Sequence, residues 1–200
     1  MLSNRHDGEK GNVMNTYVID KSIKAAVIEK HFFQLSWLLK AIGKDETKNK
    51  ALTYLHIADG IYYACDGHRL HCFLPDYDEL PTSFNLPDGE YNLVTANKKQ
   101  IILQSIDEPV TYPNMNRSLN YRRYNEIPPY VLESTTSHGL SLLNYHIISN
   151  TGQCFNLDYI RDAVFDGTIT FERTDADNGN ALVFGCETQF AMVMPIKLSA

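Results

Sequence analysis

The chain has 200 residues, 44% of them hydrophobic, and a formal charge of −6. That supports one substantial core or two small ones without disulfides or metals, and the acidic balance excludes a protein that coats nucleic acid through overall basicity. No run approaches the roughly 18 apolar residues that span a bilayer, and Met1-Leu2-Ser3-Asn4-Arg5-His6-Asp7 lacks the apolar stretch of a signal peptide, so a cytoplasmic protein without a membrane partner is expected.

Residues 1–15 are polar, Gly-rich and without period, which predicts a disordered leader outside the fold. Tyr17-Val18-Ile19 reads as a short strand, followed by a helix from about Val27 to Ile42 with Gly43 as its C-terminal cap. Ile28, Phe32, Leu35, Leu39 and Ile42 share one face of that helix, while Lys30, Gln34, Trp37, Lys40 and Lys44 lie opposite. The opposite side is either an outward basic face carrying an aromatic, or a solvated lysine face with Trp37 and Phe33 packed under a neighbouring loop. From Lys21 to Lys50, seven lysines meet only Glu29, Asp45 and Glu46, making a positive island.

Ala51 to Ile57 and Ile61 to Phe73 form an expected antiparallel pair turning at Asp59-Gly60, and Glu90 to Thr95 and Gln100 to Ile106 another turning at Asn97-Lys98. Tyr112-Pro113 through Pro128-Pro129 reads as a connector. The last third repeats the opening: a strand near Tyr145 to Ser149, a helix from Leu157 to Phe165 capped by Asn156 and closed by Gly167, then strands Thr168 to Arg173, Leu182 to Cys186 and Phe190 to Ile196. That segment is acidic: Asp158, Asp162, Asp166, Glu172, Asp175, Asp177 and Glu187 face only Arg161 and Arg173. The expected organisation is α+β, with helices on one face of antiparallel sheets: residues 16–110 as a first unit plus hairpin, 111–144 as connector and 145–200 as second unit.

Chemistry-bearing motifs are sparse. Cys65, Cys72, Cys154 and Cys186 are scattered, with no C-x-x-C pair or matching histidines for zinc. His68 and His71, read as strand residues, would point to opposite faces and could not chelate one ion. Asp76, Asp78 and Glu79 read as a solvated loop, and no G-x-S-x-G, Walker A, H-E-x-x-H or G-x-G-x-x-G motif occurs. The expectation is a protein without catalytic residues, metal or cofactor.

Five segments in order carry a family resemblance. Ala64-Cys65-Asp66-Gly67-His68-Arg69-Leu70 closely resembles the strand-ending motif of the bacterial DNA polymerase III beta subunit, the sliding clamp. Leu86-Pro87-Asp88-Gly89-Glu90-Tyr91, Tyr112-Pro113-Asn114-Met115 and Phe155-Asn156-Leu157-Asp158-Tyr159-Ile160-Arg161-Asp162-Ala163 are similar to later family segments. Met192-Val193-Met194-Pro195-Ile196-Lys197-Leu198 resembles its closing Val-Met-Pro-Met-Arg-Leu, with Lys197 where the family usually has arginine, a planar bidentate donor. The chain is about half as long as a three-domain clamp subunit, so it would be either one clamp domain with an enlarged middle or a shortened second domain fused to a shortened third.

The resemblance implies repeated βαβββ units in a DNA-clamp-like fold, acting as a processivity factor or adaptor and assembling as a homo-oligomer around double-stranded DNA without reading sequence. Lys24, Lys30, Lys40 and Lys44 are the candidates for phosphate contact. It also implies a hydrophobic pocket for clamp-binding peptides of DNA polymerase or repair proteins, with Gly67, His68, Arg69 and Leu70 as one wall and Val193, Met194, Pro195 and Ile196 as the other. Two other readings stand beside it: a monomeric decoy of clamp-binding peptides, favoured by the acidic second helix, and a single-strand nucleic-acid binder using Tyr121-Arg122-Arg123-Tyr124.

Overall fold

The computed structural model describes residues 14–22, 26–44, 49–76, 84–108, 110–113, 123–126, 130–131, 136–164, 168–169, 171–174, 181–186 and 188–196. Expectations for the leader before Met14 and for Lys24, Asp78, Glu79, Tyr121, Arg122, Asp166, Gly167 and Lys197 fall outside them.

The first unit is β1 (Thr16–Asp20), α1 (Ala26–Leu38), β2 (Tyr54–Ala58), β3 (Ile61–Cys65) and β4 (Arg69–Phe73), a βαβββ series followed by the hairpin β5 (Gly89–Ala96) and β6 (Gln100–Ile106). After it come β7 (Arg123–Glu126), β8 (Tyr130–Val131), α2 (Ser137–Thr151), α3 (Leu157–Ala163), β9 (Thr168–Ile169), β10 (Phe171–Thr174), β11 (Leu182–Cys186) and β12 (Gln189–Val193). Among the described residues, ten strands make one antiparallel sheet in the order β1-β6-β5-β2-β3-β4-β12-β11-β10-β7, and β8 pairs with β9 separately. The last strand of the βαβββ series, β4, meets β12 near the middle of this sheet, with Leu70 opposite Met192 and His71 opposite Ala191.

Alternation along these two strands assigns side chains to faces. Phe73, Ala191 and Val193 join the main core beneath the helices, with Leu35 and Leu38 of α1, Leu143 and Ile147 of α2 and Ile160 of α3. Leu70, Cys72, Met192 and Val183 form a smaller cluster with Tyr63. Fully burying one such aliphatic side chain stabilises the fold by roughly 1.5–3 kcal/mol.

Both hairpins form where the turn chemistry places them. Asp59 (φ 51°) and Gly60 (φ 74°) take the two positive-φ positions of a tight hairpin turn, and the Asp88 carboxylate accepts from both their N–H groups at 3.0 and 3.3 Å. At the second turn Asn97 Oδ1 accepts from Lys99 N and Gln100 N at 2.8 and 3.0 Å.

Four expectations are corrected. Ile61 to Phe73 is two strands, because Asp66-Gly67-His68 forms a turn with Gly67 at φ 87°. The α-helix ends at Leu38 and continues as a 3₁₀ turn, Leu39–Ala41; Gly43 is not its cap but donates to Leu52 O at 2.8 Å. There a Cβ would sit 3.0 Å from that oxygen, so the glycine serves close approach. Trp37 and Gln34 are buried on α1, while Phe33 is 49% exposed with Lys21 Nζ 4.0 Å from its ring centre. Tyr145 to Ser149 lies inside α2 rather than in a strand. Leu140, Leu143 and Ile147 recur at helical spacing and are buried, Thr136 Oγ1 caps the start through Gly139 N at 3.4 Å, and Gly152 ends the helix at φ 69°.

Candidate functional site

At the junction of the halves, three segments enclose a cavity of about 790 Å³ lined by Gly67, His68, Asn156, Tyr159, Met194, Pro195 and Ile196. The first segment is the β3–β4 turn. Asp66 Oδ1 accepts from His68 N and Arg69 N at 2.9 and 3.0 Å, and Cys65 Sγ accepts from Gly67 N at 3.3 Å, so the turn is closed by its own side chains. The second follows β12: Met194 N donates to His68 O and Ile196 N to Cys154 O, both at 2.8 Å, which ties this stretch to the turn and to the α2–α3 loop. The third is the start of α3, where Asn156 Oδ1 caps the helix through Asp158 N at 2.9 Å and Tyr159 turns its ring toward His68, 6.2 Å between centroids.

Five of the eight expected peptide-site residues line this cavity: Gly67, His68, Met194, Pro195 and Ile196. Leu70 and Val193 do not, because alternation sends them into opposite apolar clusters. Arg69 does not either. It is 9% exposed, and its guanidinium donates through Nε to Asp66 Oδ2 at 2.9 Å, through Nη1 to Asp162 Oδ2 at 2.6 Å and through Nη2 to Lys40 O. Asn156 and Tyr159 were not assigned to a wall, although both belong to the Phe155 to Ala163 segment that carries the resemblance; only the fold brings them within reach of residues about ninety positions earlier.

The walls are apolar apart from His68 and Asn156. Burial pushes the Tyr159 phenol up, with Asp66 adding to the effect, so the ring stays neutral and acts as an apolar surface with a hydrogen-bonding tip. Met194 packs against the smaller cluster, and Ile196 is 48% exposed at the mouth. A mostly apolar, partly enclosed slot of this size suits short apolar side chains.

Beneath it, His71 is fully buried and stacked on Trp37, 4.4 Å between centroids at 15°. Its Nδ1 lies 2.9 Å from Trp37 O, and a carbonyl can only accept, so Nδ1 carries the proton. Trp37 Nε1 donates to Ala163 O at 3.2 Å, tying α1 to α3.

Lys30 and Lys40 are exposed on α1 and the turn that continues it; Lys40 Nζ lies 3.8 Å from Asp162. Lys44 borders a recess of about 330 Å³ beside the cavity, with Leu52, Asp66, His68, Arg69 and Tyr159. Of the acids of α3, Asp162 binds the buried Arg69, and Asp158 forms an exposed ion pair with Arg161 at 2.9 Å. No helix among the described residues is long and apolar enough to cross a membrane.

The wide antiparallel sheet with helices on one face gives the chain a fold similar to that of bacterial DNA sliding clamps. Among solved structures, the chain is similar to a DNA polymerase III beta subunit of Eubacterium rectale (TM-score 0.54, 8% identity, 92% of this chain and 66% of that one). It is similar also to the beta subunit of Thermotoga maritima (0.53, 11%, 92% and 66%) and to the sliding clamp of Bartonella birtlesii bound to griselimycin (0.51, 15%, 98% and 69%). The chain thus spans about two thirds of their length, and at such identities the likeness is one of fold. By sequence, no protein-family model and no curated protein matches it.

Proposed function

We propose that the chain is a non-catalytic, sliding-clamp-like factor of DNA replication that binds linear peptides of DNA polymerase or repair proteins in the cavity between its two halves. The observation that supports this most is the meeting of Gly67-His68, Met194-Pro195-Ile196 and Tyr159 around one apolar slot of about 790 Å³. An extended segment can place aliphatic or aromatic side chains there while its backbone meets the polar tips of His68 and Asn156. The Bartonella birtlesii neighbour is described bound to griselimycin, so that compound is a second probe for this chain.

The test is fluorescence anisotropy of a labelled clamp-binding peptide from a bacterial replicative polymerase, with the wild-type chain and Ile196→Asp. Ile196 is half exposed, so the substitution spares the core. Losing its apolar contact and adding a charge should weaken binding tenfold or more, about 1.5 kcal/mol or above; equal affinities would reject the slot as the binding site.

For DNA, Lys30, Lys40 and Lys44, with Lys24, are the proposed phosphate contacts. A chain of this length surrounds a duplex only as an assembly. Among the described residues β1 and β7 each pair on one side of the main sheet, which suits a homo-oligomer continued edge to edge. A monomer at high concentration by light scattering would leave the peptide site standing and reject encirclement.

A further inference from the structure

Buried polar side chains gather at two places along the β4–β12 pair. One is the run His31, Gln34 and Gln189 between α1 and β12, which stays within the core. The other surrounds Arg69 and reaches both walls of the cavity. Asp66, which binds Arg69 Nε, also closes the turn that presents Gly67 and His68. Asp162, which binds Nη1, lies one helical turn after Tyr159, and the Arg69 guanidinium carbon sits 4.5 Å from the centre of the Tyr159 ring. Nη2 donates to Lys40 O, so the fork is held on three sides.

We infer that Arg69 is a positioning residue: without lining the cavity, it joins Asp66 to Asp162, holds the Tyr159 ring against the Gly67-His68 turn, and thereby sets the affinity of the cavity for a linear peptide. This rests on the peptide-site reading above. Two walls that come from sequence positions far apart need a rigid link, and a planar guanidinium binding two carboxylates and an aromatic face supplies one that a lysine ammonium cannot. A slot held open before binding spares the ligand the ordering of its walls.

Asp162→Asn keeps an acceptor oxygen and removes the charge, and Arg69→Lys keeps the charge and removes the fork. In NMR spectra of the tyrosine-labelled full chain, both should move the Tyr159 ring resonances while thermal melting confirms a folded protein. Titrated with the labelled polymerase peptide, Asp162→Asn should weaken binding roughly tenfold in the wild-type background and less than twofold in Tyr159→Ala, because its effect runs through that ring. A purely structural role would give the same loss in both backgrounds, and that result overturns the inference. Unmoved Tyr159 resonances in both variants also overturn it, with no peptide involved. A wild-type chain that binds no peptide, with Tyr159 still displaced in the variants, refutes the peptide-site reading and the affinity claim but not the link between the walls, so the two failures are told apart.

Discussion

Replacing His71 with asparagine keeps an N–H near the place of Nδ1 and removes a titrating group, and it should flatten the acid limb of the stability curve. In the folded chain burial holds the His71 pKa far down, from 6.5 to about 3, against the opposing pull of its hydrogen bond to Trp37 O, with the Arg69 charge lowering it further. The unfolded chain takes up this proton near pH 6.5 and the folded one only near pH 3, so between those values the unfolded state binds more protons. The stability contributed by neutral His71 is therefore complete above pH 6.5 and drains away as the pH falls toward 3. At about 1.4 kcal/mol per pH unit, the loss on going from pH 7.5 to pH 5 is about 2 kcal/mol. Trp37, the one tryptophan of the chain, stacks on His71 and reports unfolding by fluorescence. Urea titrations at the two pH values should show the wild type losing about 2 kcal/mol more than His71→Asn; equal losses would refute the assignment of a buried neutral imidazole.

Trp37→Phe removes the Nε1 donor to Ala163 O and some contact area, and should lower stability by about 1–2 kcal/mol in thermal melts followed by circular dichroism, with no change showing that the α1–α3 tie carries nothing. Gly67→Ala faces no crowding, since its Cβ would meet only Leu52 Cδ1 at 3.6 Å, but φ is +87°; a loss of about 1 kcal/mol in urea denaturation is expected from the backbone alone, and an unchanged midpoint would contradict it. Changing Lys30, Lys40 and Lys44 together to alanine should reduce the slope of log affinity for duplex DNA against log salt by about 3, and an unchanged slope would remove these residues from the DNA face.

The strands around Asp59-Gly60 and Asn97-Lys98 were legible because their turns are specified by residues adjacent in the chain. The stretch Tyr145 to Ser149 misled because tyrosine, histidine and paired isoleucines fit a strand, while the longer period through Leu140, Leu143 and Ile147 is that of a helix. A helix wheel assumes one buried side and so leaves Trp37 open between an outward face and a packed one; α1 is covered by the sheet and by α3 as well, and His71 and Gln189 wait there as partners for Trp37 and Gln34. Of the site, the two segments expected as its walls came together, but which of their residues face the cavity was decided by strand alternation and by the ion pairs of Arg69. Of those pairs, Arg69–Asp66 is local, but Arg69–Asp162 links positions 93 apart, a distance no local pattern spans.

The proposed peptide site is tested most directly by backbone NMR of the labelled chain titrated with the clamp-binding polymerase peptide. The largest shift changes should map to Gly67, His68, Tyr159, Met194 and Ile196, and all five should saturate together. Changes confined to Lys30, Lys40 and Lys44, or none at the cavity at saturating peptide, would contradict the account.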